Sequence, residues 1–136
     1  MMNELLMRAL QAAALWSGLL ILLLLVLAGV VSSGRRRHMV SLGDGGNADL
    51  QAATRAFGNC AEYAPAGMAA LILLSLVGAS PWMVHGVGGA LLAGRVIHAV
   101  GLLFQTGPSL GRLVGMALTW IALLAAGVAL VAFGVI

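Results

Sequence analysis

The chain has 136 residues, of which 62% are hydrophobic and 8% charged, and its net charge of +3 rests on seven arginines and no lysine. A soluble domain of this size has no use for so much apolar surface, so the composition excludes one and points to an integral membrane protein. Positive charge on such a chain belongs to topology and the membrane surface rather than to nucleic acid.

No charged residue lies between Arg8 and Arg35, and residues 19–31 form an apolar run broken only by glycine. About 20 apolar residues cross a bilayer core, so a complete first span is predicted over about 5–31. A cleaved signal peptide would have a shorter apolar stretch followed by a soluble domain; none follows, and the first helix is read as uncleaved. Residues 32–47, with Gly34, Gly43, Gly45 and Gly46, read as the one long loop. Three more spans are predicted over about 50–77, 82–105 and 110–136. They are separated by Gly78-Ala79-Ser80-Pro81 and Thr106-Gly107-Pro108-Ser109. Connections this short make the second, third and fourth helices antiparallel neighbours, giving one domain over 1–136. Arg35, Arg36 and Arg37 fall in the first connection and Arg112 follows the third, while the second connection is uncharged. Positive residues stay in the cytoplasm, so both termini are expected on the opposite side, with Arg8 outvoted.

The second span opens with Arg55-Ala56-Phe57-Gly58-Asn59-Cys60-Ala61-Glu62-Tyr63-Ala64-Pro65. On a helix, Arg55, Asn59, Glu62 and Tyr63 share one face, within reach of a single small polar ligand. Ionisable groups inside a span are costly, about 2.5 to 3.5 kcal/mol each at the bilayer centre, and so need a function or a partner. Arg55 and Glu62 are two turns apart, and are expected to pair only through Asn59 or a ligand. A zwitterionic ligand would place its carboxylate on Arg55 and its ammonium on Glu62, with its peptide groups on Asn59 and Tyr63. The competing structural reading is an interhelical salt bridge such as Glu62 with Arg95. Pro65 is expected to bend the helix and widen the space around Tyr63. Cys60, the single cysteine, cannot form an intrachain disulfide and reads as a packing residue.

On the third helix Arg95 and His98 stand three residues apart, with Gln105 two turns beyond. His98 could donate to a ligand or bond a neighbouring helix. His38 and His85 read as interfacial. Glycines 86, 88, 89 and 94 allow close helix packing. No metal-ligand, paired-carboxylate, Ser-His-Asp or phosphate-loop pattern is present. Arg112, opening the fourth helix, is either a positive-inside anchor or a guanidinium able to favour a bound thiolate.

These residues resemble the MAPEG family, the membrane-associated proteins in eicosanoid and glutathione metabolism. The resemblance covers essentially the whole chain. It rests on the four spans, the long first loop, the Arg-Ala-x-x-Asn-x-x-Glu-Tyr-x-Pro signature at Arg55 to Pro65, and the stretch from Arg95 through His98 to Gly101. It implies an all-α, left-handed four-transmembrane-helix bundle assembled as a homotrimer, with glutathione as co-substrate held between subunits. Arg55, Asn59, Glu62 and Tyr63 match the glutathione-holding residues, and one of Arg35 or Arg36 matches a basic residue at the end of the first helix. Arg112 matches the arginine that stabilises the glutathione thiolate and is the implied catalytic residue. His98 and Leu102 stand where some members carry ligand-contacting tyrosines. The implied function is a transferase or peroxidase acting on apolar electrophiles or lipid hydroperoxides in a bacterial inner membrane. The alternative is a non-catalytic lipid-binding or accessory protein that docks a partner membrane protein.

Overall fold

The computed structural model describes residues 2–105 and 107–135 and is all-helical over them. Four helices follow in order: α1 (Met2–His38), α2 (Ala48–Leu76), α3 (Pro81–Leu103) and α4 (Leu110–Gly134). Each is long and apolar enough to cross a membrane. Ile136 and Thr106, assigned above to the last span and the third connection, lie outside the described residues.

α1 runs about two turns beyond the predicted apolar span. Arg35, Arg36, Arg37 and His38 form its last turn instead of lying in the loop. Their charges face the negative end of the helix dipole, which favours continuing the helix through them. The loop therefore shrinks to residues 39–47. Asp44 Oδ1 accepts from the Gly46 amide at 2.9 Å, and Gly46, at φ +77°, takes a backbone conformation that suits glycine. Asn47 then caps α2, accepting from the Leu50 amide at 3.1 Å, while its amide group meets the His38 ring at 3.1 Å. α2 continues through Pro65 as helix. Gly78, at φ +86°, turns the chain out of α2, and Ser80 caps α3 with Pro81 in its first turn. α3 ends at Leu103, short of Gln105, and Ser109 caps α4.

α2 and α3 are the inner pair. About 40% of their apolar windows is buried (39% and 44%), against 17% for α1 and α4, whose remaining apolar faces suit lipid. α1 lies on α2 and α3, whereas α4 lies on α3 and α2 without touching α1. Ala9, Ala12 and Ala13 give α1 a small buried face. The buried Ser75 hydroxyl sits 3.0 Å from the Ala9 carbonyl and 2.9 Å from that of Leu71, tying the two helices. Leu20, Leu71, Leu74 and Leu91 fill the centre.

The closest seam is α3 on α4. A Cβ at Gly94 would lie 2.6 Å from Thr119 Oγ1, and one at Gly115 would lie 2.5 Å from the His98 nitrogen. Glycine at both positions lets the backbones approach far enough for an α3 side chain to reach α4 carbonyls. Of the glycines singled out for close packing, Gly88 and Gly94 are crowded, Gly89 is in ordinary contact, and Gly86 faces open space.

Candidate functional site

The seven residues selected from the sequence, together with Arg112, gather in the half of the bundle holding the C-terminal ends of α1 and α3 and the N-terminal ends of α2 and α4. They do not form one cluster. Four environments divide them.

The first is dry. Arg95, 1% exposed, is the largest fully buried side chain among the described residues. Its Nε donates to Thr119 Oγ1 at 2.9 Å, and its Nη1 donates to the side-chain oxygen of Asn59. The Asn59 carbonyl lies 3.4 Å from Nη1, and the Gly115 carbonyl 3.5 Å from Nη2. The guanidinium carbon stands 5.0 Å from the Tyr63 ring centroid, a cation–π contact. The Thr119 hydroxyl in turn donates to the Gly115 carbonyl at 2.8 Å. Every acceptor around this cation is neutral among the described residues, so solvation by dipoles and a ring replaces a counterion. The proposed Glu62–Arg95 bridge is not formed. Asn59 is buried on this side of the helix, with its side-chain oxygen accepting from Arg95. His98 is buried beside it at the α3–α4 seam, where Gly115 packs against its backbone.

The second environment is open. Arg55 Nη1 and Glu62 Oε1 approach to 3.7 Å, with more than half of each side chain exposed. This corrects the expectation that two turns of helix would keep them from pairing directly. The long side chains lean toward each other along the helix and close the gap. Tyr63, between the open and dry regions, has its ring over Arg95 while its hydroxyl lies 3.3 Å from the indole nitrogen of Trp120, which donates.

The third environment is a cleft of about 510 Å³ where α2 starts and α3 ends. Arg55 and Arg112 both line it, with Asp49, Gln51, Leu102 and Gln105 among the other walls. One Arg112 nitrogen donates to the Gly107 carbonyl at 2.9 Å, which fixes the side chain at the cleft mouth. Two guanidiniums, one carboxylate and two amides around one opening can receive a small zwitterion with more than one carboxylate. Arg35 and Arg36 line a separate shallow cleft on α1 with Ser32, Met39 and Val40. Within one chain they do not join Arg55 and Arg112.

A model of the MAPEG family matches residues 13–132. The chain belongs to the MAPEG family. This MAPEG protein is 40% identical over 117 residues to the inner membrane protein YecN of Escherichia coli (strain K12), a match covering 84% of this chain and 86% of that one. It is equally similar to the YecN protein of Escherichia coli O6:H1. No solved structure matches it significantly.

Sequence reasoning missed Thr119, Trp120 and Asp49. A signal for the first two was present, since Arg112, Thr119 and Trp120 are the only side chains of α4 able to donate a conventional hydrogen bond. Thr119 follows Arg112 by seven residues, two turns along the same face. Among the described residues no cluster of histidine, cysteine and carboxylate side chains could hold a metal ion.

Proposed function

We propose that this MAPEG protein is a membrane transferase or peroxidase that binds glutathione and uses its thiol on apolar electrophiles or lipid hydroperoxides. The observation that carries the reading is the shared cleft of Arg55 and Arg112. Glutathione presents two carboxylates, an ammonium, peptide groups and a thiol. Arg55 supplies a carboxylate contact, and Asp49 or Glu62 supplies the ammonium contact. Gln51 and Gln105 are placed for the peptide groups. Arg112, on the opposite wall, is the candidate to hold the thiol as thiolate, the nucleophilic form. Attack of that sulfur on an electrophilic carbon forms the C–S bond and expels the leaving group with its electron pair. With a hydroperoxide the sulfur attacks the terminal oxygen, the O–O bond breaks and the alkoxide leaves with a proton as alcohol, and a second glutathione thiol attacks the resulting sulfenic acid to form the disulfide and release water.

The reading includes assembly as a homotrimer. By helix rise, Glu62 lies about 21 Å into a helix of about 43 Å, near the middle of the span. A carboxylate at that depth and more than half exposed on the single chain needs cover from a ligand or a neighbouring copy. A neighbour's α1 would bring its Arg35 or Arg36 to the same face. The arginine-rich end is assigned to the cytoplasm and both termini to the other side of a bacterial inner membrane. Labelling an introduced cysteine at Ser41 from outside the cell would reverse that orientation.

The second reading is a non-catalytic lipid-binding or accessory protein. It is favoured by Leu102, which gives the cleft an apolar wall, and by the tie of Arg112 to the Gly107 carbonyl. One experiment separates the two readings. Glutathione added to the purified protein should raise the ultraviolet absorbance of a bound thiolate, and a generic aromatic electrophile should be conjugated. Arg112→Ala should abolish the absorbance and lower turnover far more than binding, because the guanidinium acts on the ionised sulfur and the transition state. Binding without either signal in the wild type would leave only the accessory reading.

A further inference from the structure

At the opposite end of the bundle, a second cleft of about 480 Å³ opens between the start of α1 and the start of α3. Arg8 and Gln11 of α1 and Ser80 and His85 at the head of α3 supply its polar wall, and Ala12 and Leu15 its apolar wall. None of these residues has a part in the proposed glutathione chemistry.

The polar wall is rich in hydrogen-bond donors. The Trp16 indole N–H, which can only donate, points to His85 Nδ1 at 3.0 Å. A neutral His85 must then carry its proton on Nε2, and that N–H has no acceptor among the described residues. Ser80 Oγ accepts from the Met83 amide at 3.3 Å and keeps its own proton free to donate. The positive end of the α3 dipole lies at the same place. Arg8 commits one nitrogen to Glu4 Oε1 at 2.7 Å and retains other N–H groups, its side chain being 64% exposed. Glu4 lies one turn nearer the helix start, outside the wall, and brings the local charge back to zero.

We propose that this cleft binds a phospholipid with a phosphate and a primary ammonium in its head group, taken from the leaflet opposite the glutathione cleft. The phosphate accepts from Arg8, His85 Nε2 and Ser80. The ammonium, a few ångströms closer to water, meets Glu4. An acyl chain follows Ala12 and Leu15 toward the membrane centre, and the exposed Trp82 ring lies in the interface beside the head group. A purely anionic head would leave Glu4 facing a negative group. A trimethylated ammonium would offer Glu4 no N–H donor.

The test is native mass spectrometry of the full-length protein in mild detergent, titrated with phosphatidylethanolamine, phosphatidylglycerol or phosphatidylcholine. One phosphatidylethanolamine per chain should bind about five-fold more tightly than either of the others, the scale of one charged contact at a membrane surface. Arg8→Gln should weaken it about five-fold. Glu4→Gln should remove the preference over phosphatidylglycerol without lowering phosphatidylglycerol binding. Both positions are exposed, so neither change threatens folding. A photoreactive phosphatidylethanolamine should label peptides from both helices around the cleft. Equal binding of the three lipids, an unaffected Arg8→Gln protein, or labelling confined to the other end would overturn the proposal. Competition by millimolar soluble phosphoethanolamine would assign the cleft to a free small molecule and would likewise overturn the lipid assignment.

Discussion

Arg55 and Arg95 are both arginines on the two central helices, and they are handled in opposite ways. Arg95 is sealed inside the α2–α3–α4 contact and has acceptors or a ring on several sides, none of them a carboxylate. Arg55 has a carboxylate at 3.7 Å and little else, and more than half of its side chain is exposed. The difference separates two purposes. A cation surrounded by neutral dipoles cannot exchange them for a ligand without unpacking three helices, so Arg95 is architecture. A cation held by one long ion pair at a cleft edge can change partners at small cost, so Arg55 is available for recognition.

The largest expected effect follows from the buried member. Arg95→Ala removes the donor for Asn59 and Thr119 and opens a void between three helices. Unpaired buried acceptors cost about 1 to 3 kcal/mol, and the void adds to this, so a loss of about 3 to 5 kcal/mol is expected. Thermal unfolding in detergent should show it as a large fall in Tm. Arg95→Lys should recover little, since one ammonium cannot reproduce the planar fork that reaches Asn59 and Thr119 together. If Arg95→Ala unfolds like the wild type but loses glutathione binding, the two arginines have been assigned to the wrong purposes.

The seam that makes this burial possible gives the next prediction. Gly115→Ala places a methyl where the nearest His98 and Gly94 backbone atoms lie within 2.6 Å, so α3 and α4 must part. Overpacking of this kind costs about 1 to 3 kcal/mol. The fall in Tm should be accompanied by loss of the Arg95–Thr119 bond. Gly86→Ala meets open space and should be neutral or slightly stabilising in the same assay.

Part of this division could be read in the sequence, and the parts that could not have separate physical causes. The four spans and the caps at Asn47, Ser80 and Ser109 follow from local rules of hydropathy and capping. The motif residues could be placed on a helix, but spacing along one helix does not say what stands opposite. Asn59 and Arg95 are 36 residues apart in sequence, and only the packing of α2 on α3 brings the two together. The Arg55–Glu62 contact was missed for a different reason, because side-chain length adds to backbone spacing. The predicted end of α1 falls too early because the glycine-containing stretch after residue 31 reads as loop, whereas arginine is a good helix former at a C-terminus.

Arg55→Ala tests the open member. With glutathione as ligand it should weaken binding by about 2 kcal/mol, the cost of losing one charge-assisted contact in a partly desolvated cleft. Isothermal titration of the detergent-solubilised protein measures it, and Tm should shift little. Unchanged affinity in the folded variant would remove Arg55 from the site and leave its contact with Glu62 as a structural pair.

The smallest effect is expected at Glu62, and it sharpens the comparison by asking what covers the exposed pair. An ion pair in a water-filled groove contributes about 0 to 1 kcal/mol, so Glu62→Gln should change stability by less than that if the face opens to a wet cleft between subunits. If the same face meets hydrocarbon, Arg55 would be left charged without its carboxylate, and the loss should exceed that figure, with the roughly 2.5 to 3.5 kcal/mol of an unpaired arginine at the bilayer centre as its upper bound. Unfolding of the wild type and Glu62→Gln proteins in detergent and in lipid nanodiscs distinguishes the cases. A small change in both media, together with weaker glutathione binding, fits a carboxylate that waits for an ammonium. A large change found only in nanodiscs would make the pair a structural device against lipid and would remove Glu62 from the ligand site.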